Sequence, residues 1–139
     1  MRFIILVKAD QASESGALPD EKALAEMSEF NQELVKAGVL LAGEGLQPSS
    51  KGTRVKFSGG RRTVVEGPFA APKELIAGFW LWQVSSMAEA IEWVKRAPFE
   101  DGAEVEIRQV LEDEDFGPAF TPELREQEEQ MRAQVAARK

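Results

Sequence analysis

Two segments of the chain have apolar residues at consecutive positions. A strand with one face exposed to water would instead alternate apolar and polar residues. Residues 3–7 read FIILV, and residues 76–84 read IAGFWLWQV. Because neighbouring side chains of a strand point to opposite faces, this pattern predicts two strands that are covered on both faces. A fold for this chain therefore has to provide two covering layers.

Three other segments have the pattern of helices. Apolar residues recur every three or four positions from near Asp20 to Gly38, a glycine placed for a left-handed helix cap. A second helix follows a capping box at 86–89 and stops before Pro98. A third is predicted over 122–137, but its apolar stripe is thin, so it has to dock on another surface or fray.

Shorter segments predict the remaining strands. Residues 39–46 form a short strand with two glycines, which allow either a bulge or the close approach of a ligand or another backbone. Residues 103–110 alternate cleanly between apolar and charged side chains. Between them, 53–57 and 61–65 flank a Gly-Gly pair that suits the tight turn of a β-hairpin.

Without the hairpin and the last helix, the order is strand, helix, strand, strand, helix, strand. This split βαβ order predicts an α+β, ferredoxin-like fold over 1–111, followed by an acidic linker and helix over 112–139. Two helices cover only one face of such a sheet. We therefore expect the second face to meet the same face of a second subunit, in a homodimer.

Composition narrows the classes of partner. The 139 residues carry a net charge of −7, which argues against nucleic acid and favours small molecules or proteins. No apolar run is long enough to span a membrane, and the chain is predicted to be cytoplasmic. With no Cys, no His and no phosphate-binding glycine motif, neither a metal site nor a cofactor is predicted.

Two charged residues near a rigid turn are candidates for chemistry. Glu66 lies where a strand ends and Gly-Pro-Phe begins, so its carboxylate is placed either to act as a general base or to accept hydrogen bonds from the turn's own N–H groups. Lys73 is a candidate ligand for an anion, and the alternative is an ordinary surface charge.

A second charged pair lies on the last strand. Glu106 and Arg108 are two positions apart, so both project from one face, and Val105 and Ile107 project from the other, under the helices. In one hypothesis Arg108 binds a carboxylate or enolate and Glu106 orients it. In the other, the pair belongs to a salt-bridge network between subunits.

Trp80 and Trp82 share one face of their strand. They are candidates to wall an apolar ligand, and the alternative is that they form the dimer core. On the second interpretation, Trp82→Glu weakens assembly and stability together, because it buries an unpaired charge.

Several of these residues also resemble a known family. Glu66-Gly-Pro-Phe69, the GEGL of 43–46, the AIEW of 90–93 and the EVEIRQV of 104–110 are similar to the YCII-related family, also called the DGPF-domain family. The resemblance implies a ferredoxin-like, dimeric α+β barrel. The family motif begins with Asp, where this chain has Glu66. A His-Asp pair proposed for some members cannot be transferred, because this chain has no His.

Two functions remain open from the sequence. The first is a dimeric module that binds a small molecule or a regulatory partner. The alternative is a cofactor-free enzyme that moves a proton on a small carbonyl or anionic substrate, with Glu66 as base and Arg108 or Lys73 as electrostatic stabiliser.

Overall fold

A computed structural model describes residues 1–138, apart from the side chain of Lys73. Its central element is a four-stranded sheet in the order β2-β5-β1-β6, in which each neighbouring pair is antiparallel. The strands are β1 (Arg2–Lys8), β2 (Leu40–Gly45), β5 (Ile76–Gln83) and β6 (Val105–Gln109). This strand order, with one helix in each crossover, is the ferredoxin-like α+β fold that the sequence predicts.

Two helices pack on one face of this sheet, and each begins at a side-chain cap. Asp20 accepts a hydrogen bond from the N–H of Ala23 at the start of α2 (Glu21–Lys36). Ser86 accepts one from the N–H of Glu89 at the start of α3 (Met87–Lys95). Such caps satisfy N–H groups that have no partner inside the helix.

The segment that joins β1 to α2 contains a short helix. This helix, α1 (Gln11–Glu14), has a capping box between Asp10 and Ser13. Four residues are too few to produce a helical repeat of apolar residues in a sequence, which is why the pattern did not predict it.

The predicted hairpin forms a separate two-stranded sheet of β3 (Thr53–Ser58) and β4 (Arg61–Glu66). Its turn has positive φ at both Gly59 and Gly60, as expected for a Gly-Gly primed turn.

The core lies between the sheet and the two helices. The strands contribute Phe3 and Ile5 of β1 and Trp80 and Trp82 of β5, at alternate positions. These side chains pack against Phe30 and Leu34 of α2 and Ala90 of α3. Val105 and Ile107 pack against the same core, so the last strand is oriented as predicted. The other face of β5 carries Phe79 and Leu81.

The interpretation of Trp80 and Trp82 as dimer core is therefore wrong. Trp82 has no exposed surface and Trp80 is 6% exposed, both within a single chain and beneath its own helices. The alternation of β5 was identified correctly, but both of its faces are apolar. Hydrophobicity alone does not say which face the helices take.

The chain divides into two compact units, Met1–Gln109 and Val110–Lys139. The second contains a 3₁₀ segment (Asp113–Ala119) and α4 (Pro122–Ala137), which is capped by Thr121. Within it, Arg125 stacks over the ring of Phe120. Over residues 1–138, no helix is long and apolar enough to cross a membrane.

Candidate functional site

A cavity of about 350 Å³ opens at one end of the helix–sheet layer, and we call it the Trp80 cavity. It lies where β1 ends, β5 begins and the middle of α2 passes over the sheet. Its lining consists of Val7, Met27, Asn31, Leu40, Gly43, Glu44, Gly45, Ala77, Gly78, Phe79, Trp80 and Phe99. This volume is in the lower part of the range for small-molecule sites.

One polar contact fixes the wall of the cavity. The indole Nε1–H of Trp80 donates a hydrogen bond of 2.9 Å to Oδ1 of Asn31. Asn31 is half-buried on α2, one residue after Phe30, whose ring is fully within the core. The bond thus ties the helix to the middle of β5.

Aromatic rings hold Trp80 in this position. Its ring centroid lies 5.7 Å from that of Phe30 and 6.0 Å from that of Phe99, and both contacts are edge-to-face. Edge-to-face pairs at such distances add about 0.5–1.5 kcal/mol beyond their burial. Trp80 is therefore a rigid wall, and Phe99 adds a second, half-buried aromatic surface.

Two glycines of β2 make different contributions. A Cβ atom at Gly43 would lie 2.6 Å from Cδ1 of Trp80, so this glycine makes room for the indole. A Cβ at Gly45 would meet no heavy atom within 4 Å, and Gly45 lines the cavity. Gly45 is thus a position at which a side chain would fill space that a ligand would otherwise use.

The charge among the lining residues is of one sign, negative. Glu44 is the one charged residue of the lining, and no lysine or arginine contributes among the side chains that the structure describes. An anionic ligand would meet no lysine or arginine counter-charge among these lining residues. The lining therefore disfavours an anion.

A shallower groove continues from the cavity along α2. It is lined by Leu24, Met27, Ser28, Asn31, Gln32, Val35 and Lys36, so Met27 and Asn31 belong to both. Leu24 and Val35 are 57% and 61% exposed. The part of the predicted α2 stripe that they form does not enter the core.

Glu66, the predicted base, is an exposed residue at the end of β4. Its carboxylate has no hydrogen bond or ion pair to any described residue, so the predicted bonds to the N–H groups of its own turn are not formed. The turn is instead fixed by hydrogen bonds that involve Ser49 and Glu14, two residues far from Glu66 in the sequence.

Ser49 is the centre of that contact. Its Oγ accepts a hydrogen bond of 3.0 Å from the N–H of Phe69 and donates one to the carboxylate of Glu14. The same carboxylate accepts the N–H of Ser49 at 3.0 Å, and the N–H of Gly67 bonds to the carbonyl of Gly52 at 2.9 Å. A Cβ at Gly67 would overlap the carbonyl oxygen of Ser49, so only glycine fits there.

Glu106 and Arg108 project from one face, as predicted, and they belong to a small charged group. Nζ of Lys8 lies 3.3 Å from Glu106 Oε1, and Nε of Arg108 lies 4.0 Å from Glu106 Oε2. Lys8 is the closer partner and sequence reasoning missed it. The Arg108 side chain is 71% exposed.

The structure does not bring the predicted catalytic residues together. Glu66 and Arg108 share no contact within the chain, and neither lines the Trp80 cavity or the groove. The side chain of Lys73 lies outside the described part of the structure. The proton-transfer hypothesis stays a prediction, without an assembled site in one chain.

Of the predicted ligand-binding residues, Trp80 lines a cavity, whereas Trp82 has no surface with which to touch a ligand. Asn31 and Phe99 were missed, because a single amide on a helix and a phenylalanine in a loop give no spacing signal. The two glycines within 43–46 did give a signal in the sequence, because the close approach of a ligand was one of the two interpretations offered for them.

Two further features bear on the chemistry. Within residues 1–138, no group of three or more Asp or Glu residues is arranged to hold a metal ion. Hydrogen bonds from the N–H and Oγ of Ser85 lower the pKa of Glu89, which lies in the first turn of α3. That carboxylate is not part of the cavity lining, and it bonds to Ser85 just before its own helix.

Comparisons with known proteins place the chain in a family. A model of the YCII-related domain matches residues 1–114. An uncharacterized protein of Rhizobium meliloti (strain 1021) is 32% identical over 76 residues, which are 55% of this chain and 61% of that protein.

The chain is also similar to a solved structure of 5-chloro-2-hydroxyhydroquinone dehydrochlorinase from Burkholderia phenoliruptrix AC1100, in complex with 2,5-dihydroxybenzoquinone. The match has 18% identity and a TM-score of 0.43, and covers 83% of this chain and 99% of that one. A similarity this weak carries no argument about chemistry.

Proposed function

This chain belongs to the YCII-related family, and from that premise we propose that it is a dimeric module that binds a small, uncharged molecule in the Trp80 cavity. The observation that carries the proposal is the cavity's lining, which is apolar or glycine except for Asn31 and Glu44. Small-molecule sites typically combine such a lining with a few fixed polar groups.

Rigidity of the walls supports binding. Trp80 is held by three aromatic contacts and by its bond to Asn31, so a ligand meets a surface that is already ordered. Binding to an ordered surface costs less side-chain entropy than binding to a mobile one.

The dimer is a separate part of the proposal. The face of the sheet opposite α2 and α3 places Leu81 beside Ile4 and Phe79 beside Leu6. These four apolar side chains are half-buried. We propose that a second copy of this chain packs on them, because the patch is central to the sheet and self-complementary under a twofold axis.

The test of binding uses uncharged aromatic fragments, acetophenone and indole, with benzoate as the anionic comparison. Titration followed by NMR should give saturable binding of the uncharged fragments with Kd of about 1 mM, as expected for ligands of this size. Benzoate should bind at least about tenfold more weakly, because no cation faces it.

Gly45→Leu is the variant that locates the binding. It fills the open space beside Gly45 and should weaken both uncharged fragments at least about tenfold. Ala42→Leu is the matched control, because it adds similar bulk to the same strand on the opposite face, beside Leu81. The proposal is contradicted if wild type binds neither fragment, or if Gly45→Leu binds them as wild type does.

A further inference from the structure

Resting on that proposed function, we infer that the ligand presents a hydrogen-bond acceptor, such as a carbonyl oxygen, to the side-chain amide of Asn31. Trp80 is then a specificity-determining residue, because its indole decides which end of the Asn31 amide faces outward. The ligand class is an uncharged compound with an acceptor and without an obligatory donor at that point.

The orientation of the amide follows from the chemistry of its partner. An indole N–H donates hydrogen bonds and cannot accept them. The Asn31 atom 2.9 Å from Trp80 Nε1 is therefore the oxygen, Oδ1, and the opposite assignment would set two donors against each other. The amide nitrogen, Nδ2, is left with two N–H donors to place.

No group in residues 1–138 is seen to accept from Nδ2, and Asn31 lines both the Trp80 cavity and the groove beside it. A ligand that brings a carbonyl oxygen satisfies this donor. A ligand that brings only an N–H meets a donor with a donor, and both lose their bonds to water. The site is therefore expected to discriminate by hydrogen-bond polarity.

The discrimination depends on Trp80 staying in place. Gly43 leaves no free space on its side of the indole, since even a methyl group there would lie 2.6 Å from Cδ1. The rings of Phe30, Trp82 and Phe99 also contact the indole. With the indole unable to turn, the amide that bonds to it cannot reverse without losing that bond.

The experiment compares acetophenone, which only accepts hydrogen bonds, with indole, which only donates through its N–H. In wild type, acetophenone should bind several-fold more tightly than indole in NMR titrations. Asn31→Asp keeps an oxygen for Trp80 and replaces the outward donor by an acceptor. It should weaken acetophenone at least about tenfold and leave indole bound as tightly or more tightly.

Two further variants separate the polarity of the amide from general damage. Asn31→Leu has neither donor nor acceptor and should bring the two affinities close to each other. Trp80→Phe removes the N–H that orients the amide, so the amide is free to reverse and the preference for acetophenone should fall toward equality. The indole resonance of Trp82 reports whether each variant keeps its core.

The outcomes distinguish the two levels of the proposal. If neither fragment binds wild type, the proposed function fails and this inference fails with it. If both bind, and Gly45→Leu blocks both, the cavity is the site. Equal affinities in wild type, or a ratio that Asn31→Asp leaves unchanged, would then overturn the role of Asn31 and Trp80 alone.

Discussion

The two faces of β5 are equally apolar in sequence and differ in what surrounds them. Trp80 and Trp82 point toward α2 and α3 and are almost fully buried within the chain. Phe79 and Leu81, their sequence neighbours, are half-buried on the opposite face. That second face also carries the charged group of Lys8, Glu106 and Arg108 at its β6 side.

The difference shows how one strand supports two kinds of contact. On the helix face, aromatic rings close around one another and the one polar contact of the cavity is the bond from Trp80 to Asn31. Trp82 on the same face contributes through packing only, because its Nε1 is buried without a partner in the described structure. The opposite face is the one on which we propose that a second copy of this chain packs.

The largest expected effect is at Trp82. Trp82→Glu removes a fully buried ring and places a carboxylate in the core, which should lower the free energy of unfolding by about 4 kcal/mol or more. Urea denaturation followed by circular dichroism measures this value. A variant as stable as wild type would show that the helix face is not the core of the protein.

The neighbouring position should respond differently. Leu81→Glu places a charge on the opposite face, so it should cost the single chain only about 1 kcal/mol but weaken self-association at least about tenfold. Sedimentation velocity should give twice the 15.4 kDa chain mass for wild type and one chain mass for the variant. A wild-type protein that sediments as a monomer would refute the proposed dimer.

The ion pair on that face should have a small effect. Lys8 and Glu106 are 3.3 Å apart, but Glu106 is 44% exposed, so water screens their attraction. Glu106→Gln should therefore lower stability by about 0.5 kcal/mol. A loss of several kcal/mol in denaturant titrations would mean that the pair is enclosed in the assembled protein.

The smallest effect is expected at the start of α3, in the helical layer. Ser85 donates hydrogen bonds to the charged form of Glu89 and so lowers the pKa of that carboxyl from its usual value of 4.5. The ionised carboxylate therefore stabilises the fold at pH values above 4.5, and this contribution is lost as the pH falls through the lowered, folded-state pKa. Glu89→Gln should melt slightly below wild type at pH 7. As the pH falls below 4.5 the difference should shrink, and a constant difference would contradict this role.

Most of the helices and strands could be predicted from the sequence, because short-range patterns of residues specify them. Each of these elements follows from residues close together in the chain: caps at the helix starts, the Gly59-Gly60 pair in the hairpin turn, and alternating apolar residues in β6. The assignment of the faces of β5 could not be predicted, since Trp80 and Leu81 are both apolar. Which of them meets the helices depends on contacts between distant segments.

The candidate site was harder to predict, for a related reason. Glu66 is next to the most distinctive turn of the chain, but that turn is held by Ser49 and Glu14, 17 and 52 positions earlier than Glu66, by a set of hydrogen bonds that no spacing rule describes. Asn31 matters because of one bond to Trp80 across 49 positions. Such contacts appear only once the chain has folded.

The most direct test of the account follows the three tryptophan indole N–H resonances while acetophenone is added. The account predicts that the resonance of Trp80 shifts and saturates, that those of Trp82 and Trp93 move much less, and that Gly45→Leu abolishes the shift. An unmoved Trp80 resonance at saturating acetophenone, or a shift that persists in Gly45→Leu, would contradict binding in the Trp80 cavity.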